Sequence, residues 1–165
     1  AVLADPRLSD GHNNLGVLYH SAGDYEAAER ELQAAIALDP DYAVPYLNLG
    51  NVYRKMLRFD DASKQYRKAL DLDRTCSDCW FNLGVAALED KGTGKDSSDH
   101  YKRAIEYLRT YKEMRKGNGR DDEADKYLDE ARRMAEYLEK EEKARPPEPA
   151  PTAQPESPDV PAGGL

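Results

Sequence analysis

The sequence has little of what membrane-spanning, nucleic-acid-binding and metal-binding proteins need. No apolar run approaches the roughly 18 residues that span a bilayer. Acidic residues outnumber basic ones, 32 against 24, whereas nucleic acids and anionic membranes are bound by basic surfaces. Two cysteines and three histidines offer few ligands for a tetrahedral zinc site. We therefore expect no transmembrane segment, no nucleic-acid partner, and no metal or other cofactor.

Repetition is the main positive signal in the sequence. The string Asn-Leu-Gly stands at residues 14–16, 48–50 and 82–84, so that its copies are 34 residues apart. A fixed period of this length is typical of proteins built from stacked helical repeats. The chain is therefore interpreted in units of 34 residues.

Each unit is predicted to be a pair of helices. Apolar residues recur at three- and four-residue steps in two segments of the first unit, which is the pattern of helices that bury one face. Gly23 and Asp24 separate the two segments, and an aspartate there can cap the second helix. Pro40 ends the unit because a proline ring cannot continue through a helix interior. Gly16 is small where the two helices must approach closely.

The third unit departs from the pattern through a longer connector, residues 90–95. One inserted residue in this connector preserves the periodicity of the second helix. On that interpretation, Ser97, Tyr101 and Ala104 take the places of Ala62, Tyr66 and Ala69. The second helix is then expected to run on to about residue 116, where Gly-Asn-Gly at 117–119 breaks it.

A final amphipathic helix follows, and its charge differs from that of the helix before it. Residues 102–120 carry seven basic and two acidic side chains, whereas residues 121–142 carry four basic and ten acidic ones. We expect the two helices to lie side by side and complement each other. A polar-backed helix of this kind caps the apolar end of a repeat array.

These spacings resemble the tetratricopeptide repeat, in which an aromatic, Leu-Gly, Tyr, Ala, an aromatic, Ala and Pro recur over a 34-residue unit. In the second unit the matching residues are Tyr46, Leu49, Gly50, Tyr53, Ala62, Tyr66 and Ala69. The resemblance covers about residues 1–104. It implies an all-α fold: a right-handed superhelix of antiparallel helix hairpins, an α-solenoid, with a C-terminal capping helix.

The domain layout follows from this register. Ala1, Asp5 and Pro6 stand 34 residues before an identical trio that ends the first unit, so the chain is expected to be the C-terminal part of a longer repeat protein. The boundaries expected are 1–8 for the end of a preceding repeat, 9–42, 43–76 and 77–116 for three repeats, the third with an extended second helix, 120–144 for the capping helix and 145–165 for a disordered Pro-rich tail.

The resemblance also implies a concave groove, lined by the first helix of each unit, that binds a protein or peptide partner. Seven groove residues are predicted: Asn14, Asn48, Asn51, Arg54, Lys55, Phe81 and Asn82. The aligned asparagines offer donors and acceptors to the backbone of an extended peptide, unless they only tie the helices together. Relatives that clamp C-terminal carboxylates use Lys and Arg at positions that hold Asn13, Asp78 and Asn82 here, so that specialisation is not expected.

Three segments contain residue types that occur in catalytic or ligand-binding sites. Residues 92–95, Gly-Thr-Gly-Lys, lack the earlier glycine and the following Ser or Thr of a phosphate loop. Residues 97–100, Ser-Ser-Asp-His, are adjacent, whereas a catalytic triad is assembled from distant segments. Cys76 and Cys79 stand where a helix should begin, and are interpreted as a structural disulfide or two unreactive thiols, with redox or metal chemistry as the alternative.

The function expected is therefore a non-enzymatic protein-interaction scaffold. One alternative is a bacterial envelope lipoprotein that assists assembly of a secretion, pilus or gliding-motility machine and is attached to the membrane through an upstream segment. Another is the regulatory segment of a larger enzyme. The Ala-, Arg- and Pro-rich composition and the two cysteines favour the bacterial cell envelope over the cytoplasm.

Overall fold

The structure, a computed structural model, describes residues 6–90, 97–115 and 122–144. Within these ranges the chain forms helices and turns, without strands. The helices are α1 (Pro6–Ala22), α2 (Tyr25–Leu38), α3 (Ala43–Lys55), α4 (Phe59–Leu72), α5 (Ser77–Glu89), α6 (Ser97–Met114) and α7 (Asp122–Ala144). None of them is both long enough and apolar enough to cross a membrane. The expected all-α class and the pairing into hairpins are confirmed.

Turns at equivalent positions show why the hairpins form. The carboxylate of Asp24 accepts a hydrogen bond from the Ala27 N–H at 3.0 Å and so caps α2. Gly23, just before it, has φ 81°, a left-handed conformation that suits glycine. Leu57 occupies the same place 34 residues later and has φ 60°, which is unfavourable for a residue with a side chain.

The glycine of each Asn-Leu-Gly string allows the two helices of a unit to touch. A Cβ atom on Gly16 would lie 2.6 Å from Cγ of Leu32, and one on Gly84 would lie 2.6 Å from Cγ of Leu108. In the second unit the ring of Tyr66 packs against Gly50 in the same way. All three large side chains are fully buried, so they occupy one equivalent position of the repeat.

This equivalence corrects the predicted register of the third unit. Leu108 takes the place of Tyr66, and Ala104 takes the place of Ala62, since the backbone oxygens of Ala104 and Ala28 lie at almost the same distance from Gly84 and Gly16. The insertion is eight residues long instead of one. The error is seven residues, which is close to two helical turns, so the apolar periodicity was the same in both registers.

The second helix of the third unit is therefore extended at its front. Tyr101 aligns with Phe59, the first residue of α4, and α6 begins four residues earlier, at Ser97. Its last residue, Met114, aligns with Leu72, where α4 ends. The expected end near residue 116 is two residues beyond Met114, and residue 116 itself lies outside the described range, so this boundary stays a prediction.

The start of the chain also differs from expectation. Pro6 is the first residue of α1, so residues 6–8 belong to the first helix of unit one and do not end a preceding helix. Proline is well tolerated in a first helical turn, where its missing N–H has no partner to lose. Residues 1–5, the 92–95 string and the Pro-rich segment 145–165 lie outside the described residues.

Helix α7 packs along α6, as a first helix of a fourth unit would. Ala124, Leu128 and Ala131 are buried against this neighbour. Lys102 pairs with Glu139, with 3.6 Å between nitrogen and oxygen, and Lys112 pairs with Asp125. The prediction that these oppositely charged helices lie side by side is confirmed.

Candidate functional site

The three hairpins stack so that one side of the array is shorter than the other. The backbones of α1 and α3, and those of α3 and α5, approach each other closely, whereas the backbones of the described parts of α2, α4 and α6 do not. Helices that touch lie on the inside of a curve, and helices that diverge lie on the outside. The first helices therefore form the concave surface, which we call the groove.

Asn48, the middle one of the three aligned asparagines, has a hydrogen-bond partner within the protein. The side-chain amide of Asn48 donates a hydrogen bond to the carbonyl oxygen of the Asn13 side chain, at 2.9 Å. Asn13 is buried, so this bond ties α1 to α3. Asn14 and Asn82 stand at the positions equivalent to Asn48. Neither forms a side-chain hydrogen bond with any described residue, and Asn14 is exposed.

The next predicted positions are also occupied by internal contacts. Asn51 accepts a hydrogen bond from the Tyr66 hydroxyl at 2.9 Å, which joins α3 to α4. Arg54 donates from Nη1 to both carboxylate oxygens of Glu89, each at 2.9 Å, which joins α3 to α5. These side chains therefore hold the groove wall in one arrangement.

Positive charge gathers where α1 and α3 end. Lys55 is exposed and forms no ion pair with a described residue. The pKa of His20 lies below its ordinary value because burial, then Lys55 and Arg54, disfavour its protonated form. Nε2 of His20 and Nε of Arg54 are buried and have no hydrogen-bond partner among the described residues. This end of the groove is therefore cationic, and Lys55 is its exposed charge.

Aromatic side chains from α6 and α7 pack on the third unit of the groove. Phe81, predicted as a groove residue, packs its ring 5.1 Å from that of Tyr111 and 5.7 Å from that of Tyr127, measured between centroids. Tyr127 belongs to α7, so the capping helix reaches the inner surface. Val85, one turn further along α5, is buried.

Sequence reasoning missed Glu89, which fixes Arg54, and Tyr127, which covers part of the third unit. The residue spacing along the chain contains a signal for Glu89. The two side-chain pairs that link neighbouring inner helices, Asn13 with Asn48 and Arg54 with Glu89, are each separated by 35 residues. Facing inner helices are thus offset by one residue from the repeat period. No equivalent spacing identifies Tyr127, which lies beyond the repeats.

Cys76 and Cys79 are joined by a disulfide in the first turn of α5, with Cα atoms 5.4 Å apart. The sulfur of Cys76 also accepts a hydrogen bond from the Cys79 N–H at 3.2 Å, and Cys76 is the N-cap of the helix. Cys79 is fully buried in a cluster with Tyr46 and Ala69. Among the described residues, no group of three or more His, Cys, Asp or Glu side chains could hold a metal ion.

The Ser-Ser-Asp-His string forms the first turn of α6. His100 Nδ1 lies 3.2 Å from the backbone oxygen of Asp90, so this ring fastens the start of α6 to the end of α5. A cavity of about 430 Å³ lies elsewhere, between α4 and α5. Its lining is Arg67, Leu70, Asp71, Arg74, Trp80 and Leu83.

Comparison with known proteins identifies the repeats. Two sequence profiles, both described as tetratricopeptide repeat, match the chain over residues 7–75 and 47–119. No curated protein sequence matches it significantly.

Solved structures share the fold at low sequence identity. The TPR2B domain of yeast Sti1, in a complex with pHsp70, superposes with a TM-score of 0.69 at 20% identity, over 78% of this chain and 98% of that one. The second TPR domain of human RPAP3, solved with an HSP70 peptide, gives 0.64 at 21% identity, over 78% and 98%. The type III secretion chaperone SycD of Yersinia enterocolitica, solved with a peptide of the translocator YopD, gives 0.64 at 18%, over 81% and 93%.

Proposed function

Residues 7–119 of this chain are tetratricopeptide repeats, and we propose that their concave groove binds an extended segment of a partner protein. The proposal rests on a difference among the polar residues of the groove: some have hydrogen-bond partners within the protein and others do not. Asn48, Asn51 and Arg54 are held by internal partners. Asn14, Asn82 and Lys55 have no such partners among the described residues and remain open to a ligand.

The open side chains suit a peptide backbone. A side-chain amide supplies one donor group and one acceptor group, and Asn14 and Asn82 lie on the first and third units, at either side of the bonded Asn48. An extended chain that crosses the groove can therefore contact both amides. Lys55 lies at the side of the groove where α1 and α3 end. The internal hydrogen bonds of Asn48, Asn51 and Arg54 hold the groove in one conformation, which reduces the conformational entropy lost when a peptide binds.

Two solved structures with the same fold also support the proposal. The RPAP3 and SycD structures, which share this fold, were each solved with a bound peptide. In this chain, however, a C-terminal carboxylate would meet no cationic clamp at the positions of Asn13, Asp78 and Asn82. Asn13 is buried and bonded, and Asp78 would repel an anion. We therefore assign the groove to an internal segment of a partner and not to a free C-terminus.

A second surface supports a role as part of a longer array. Leu8, Leu15 and Leu18 are exposed along one face of α1. Leu18 is 65% exposed, whereas Val52, its equivalent in the second unit, is 0% exposed because α2 packs on α3 there. We propose that the second helix of a further repeat covers this face of α1.

Selection from a displayed library of random peptides tests the groove proposal. Peptides enriched on the wild-type protein should lose at least about ten-fold in affinity for the double variant Asn14→Ala/Asn82→Ala, since truncating central contacts commonly has effects of this size. The control is Arg30→Ala/Arg109→Ala, two exposed residues on α2 and α6, which should bind as the wild type does. Equal binding to all three proteins, or no enrichment, would refute the proposal.

A further inference from the structure

The two cysteines of the disulfide at the start of α5 differ in their exposure to solvent. Cys79 is 0% exposed, so its sulfur is closed to an incoming thiol. Cys76 is half-buried and lines a cleft of about 240 Å³ between the start of α3 and the turn that leads into α5. Of the two cysteines, only Cys76 borders the cleft.

The helix end favours that same sulfur as a thiolate. Cys76 is the N-cap of α5, and its sulfur already accepts a hydrogen bond from the Cys79 N–H at 3.2 Å. The positive end of the helix dipole and such an N–H donor both stabilise negative charge, and thiols at helix N-termini have lowered pKa values for this reason. Cys79 lies instead in a buried cluster with Tyr46 and Ala69, a setting that disfavours charge.

The turn before Cys76 holds the accessible sulfur in place. One carboxylate oxygen of Asp73 accepts hydrogen bonds from the backbone N–H of Thr75 at 2.9 Å and from its hydroxyl at 2.6 Å. The Cys76 N–H donates to the backbone oxygen of Asp73 at 3.2 Å. The opposite wall of the cleft is formed by Ala43, Val44 and Leu47, whereas Asp73 and Asp78 line it beside the sulfur. A partner segment would therefore meet an apolar wall on one side and two carboxylates on the other.

We propose that Cys76 and Cys79 form a thiol–disulfide exchange site for a dithiol on a partner polypeptide. A partner thiolate attacks the sulfur of Cys76, the Cys76–Cys79 bond breaks, and the bonding pair leaves on Cys79, which takes up a proton. The partner's second thiolate then attacks the partner's first sulfur, which is bonded to Cys76 in the mixed disulfide, and Cys76 is released as a thiolate. The partner dithiol is oxidised to a disulfide, and the Cys76–Cys79 disulfide is reduced by two electrons.

This site does not depend on peptide binding in the groove, so the two proposals fail or succeed separately. Its test uses glutathione disulfide as the probe and two single variants, Cys79→Ser and Cys76→Ser. In the native state, Cys79→Ser should gain one glutathione at Cys76, as measured by mass spectrometry. Cys76→Ser should react at least about ten-fold more slowly because its remaining thiol is buried, and should match the other variant in urea.

The wild-type protein provides a second measurement that does not rely on the variants folding. Dithiothreitol should reduce the disulfide of the native protein at a rate close to that in urea, since Cys76 is already accessible. Two results would overturn the proposal. One is reduction in urea but not in the native state, and the other is equal glutathione uptake by both variants when circular dichroism shows that both are folded.

Discussion

The side-chain amide of Asn48 donates a hydrogen bond to the side-chain oxygen of Asn13, 2.9 Å away, and thereby joins the second repeat to the first. Asn82, one repeat further on, has Leu47 where Asn48 has Asn13. A leucine cannot accept the bond. Two residues of identical type and repeat position therefore have different roles, one in the wall of the array and one at its surface.

Alanine substitution should separate these roles. Asn48→Ala leaves the buried oxygen of Asn13 without a donor, which should lower the free energy of unfolding by about 1–2 kcal/mol. Asn82→Ala breaks no internal bond and should change it by less than about 0.5 kcal/mol. Urea unfolding, followed by circular dichroism, measures both. Equal losses would mean that the two asparagines are structurally equivalent after all.

Leu57 offers a stabilising substitution. Its φ of 60° is left-handed, and its side chain is exposed, so little packing is lost when it is removed. Leu57→Gly should raise the free energy of unfolding by about 0.5–1 kcal/mol, because glycine adopts this backbone without strain. Gly23→Ala, at the equivalent position, should lower it by about 1 kcal/mol. A melting temperature that falls for Leu57→Gly would contradict this account of the turn.

The proposed further repeat predicts a contrast between two equivalent positions. Val52→Ala removes buried methyl groups beneath α2 and should cost about 2 kcal/mol. Leu18→Ala should change the stability of this chain by less than about 0.5 kcal/mol, since nothing among the described residues covers Leu18. In a longer polypeptide that carries the additional helix, the same Leu18→Ala change should become as costly as Val52→Ala. If it stays neutral there, the face of α1 is not a repeat interface.

Alkaline pH should weaken the second unit through Tyr66. Burial raises the pKa of Tyr66 to about 12, against an ordinary value near 10. The unfolded chain therefore loses this proton first, so the stability that depends on the protonated hydroxyl is present below about pH 10 and is lost towards pH 12. Tyr66→Phe removes the hydrogen bond to Asn51 and should cost about 1 kcal/mol at pH 8.

The comparison of wild type with Tyr66→Phe at two pH values isolates this effect from the other tyrosines. Their difference in unfolding free energy should shrink as the pH is raised from 8 to 11, because only the wild type carries the ionisable hydroxyl. A difference that stays constant would show that Tyr66 titrates normally.

Periodicity explains why most of the fold could be predicted. The three Asn-Leu-Gly strings specify where helices must touch, and Gly16 and Gly84 are packed as that pattern requires. The same periodicity could not place α6 correctly, because a shift of seven residues leaves the apolar face almost unchanged. The contacts that Gly84 makes with Leu108 and Ala104 distinguish the two registers.

The groove could be predicted as a surface but not as a set of free side chains. Helix spacing brings Asn48 and Arg54 to the inner face, yet their partners are on other helices and are displaced by one residue from the repeat period. Such an offset depends on how neighbouring units are tilted, and the sequence of one unit does not contain that information. The contact between Phe81 and Tyr127 depends on α7, whose sequence lies beyond the 34-residue repeats.

The most direct test of peptide binding in the groove is a two-dimensional amide NMR titration of the wild-type protein with a library-selected peptide. Our account predicts that resonances of α1, α3 and α5 shift on binding, with the largest changes near Asn14, Asn82 and Lys55, while those of α2 and α4 stay in place. Shifts confined to α2, α4 and α6 would place the ligand on the opposite face and contradict it.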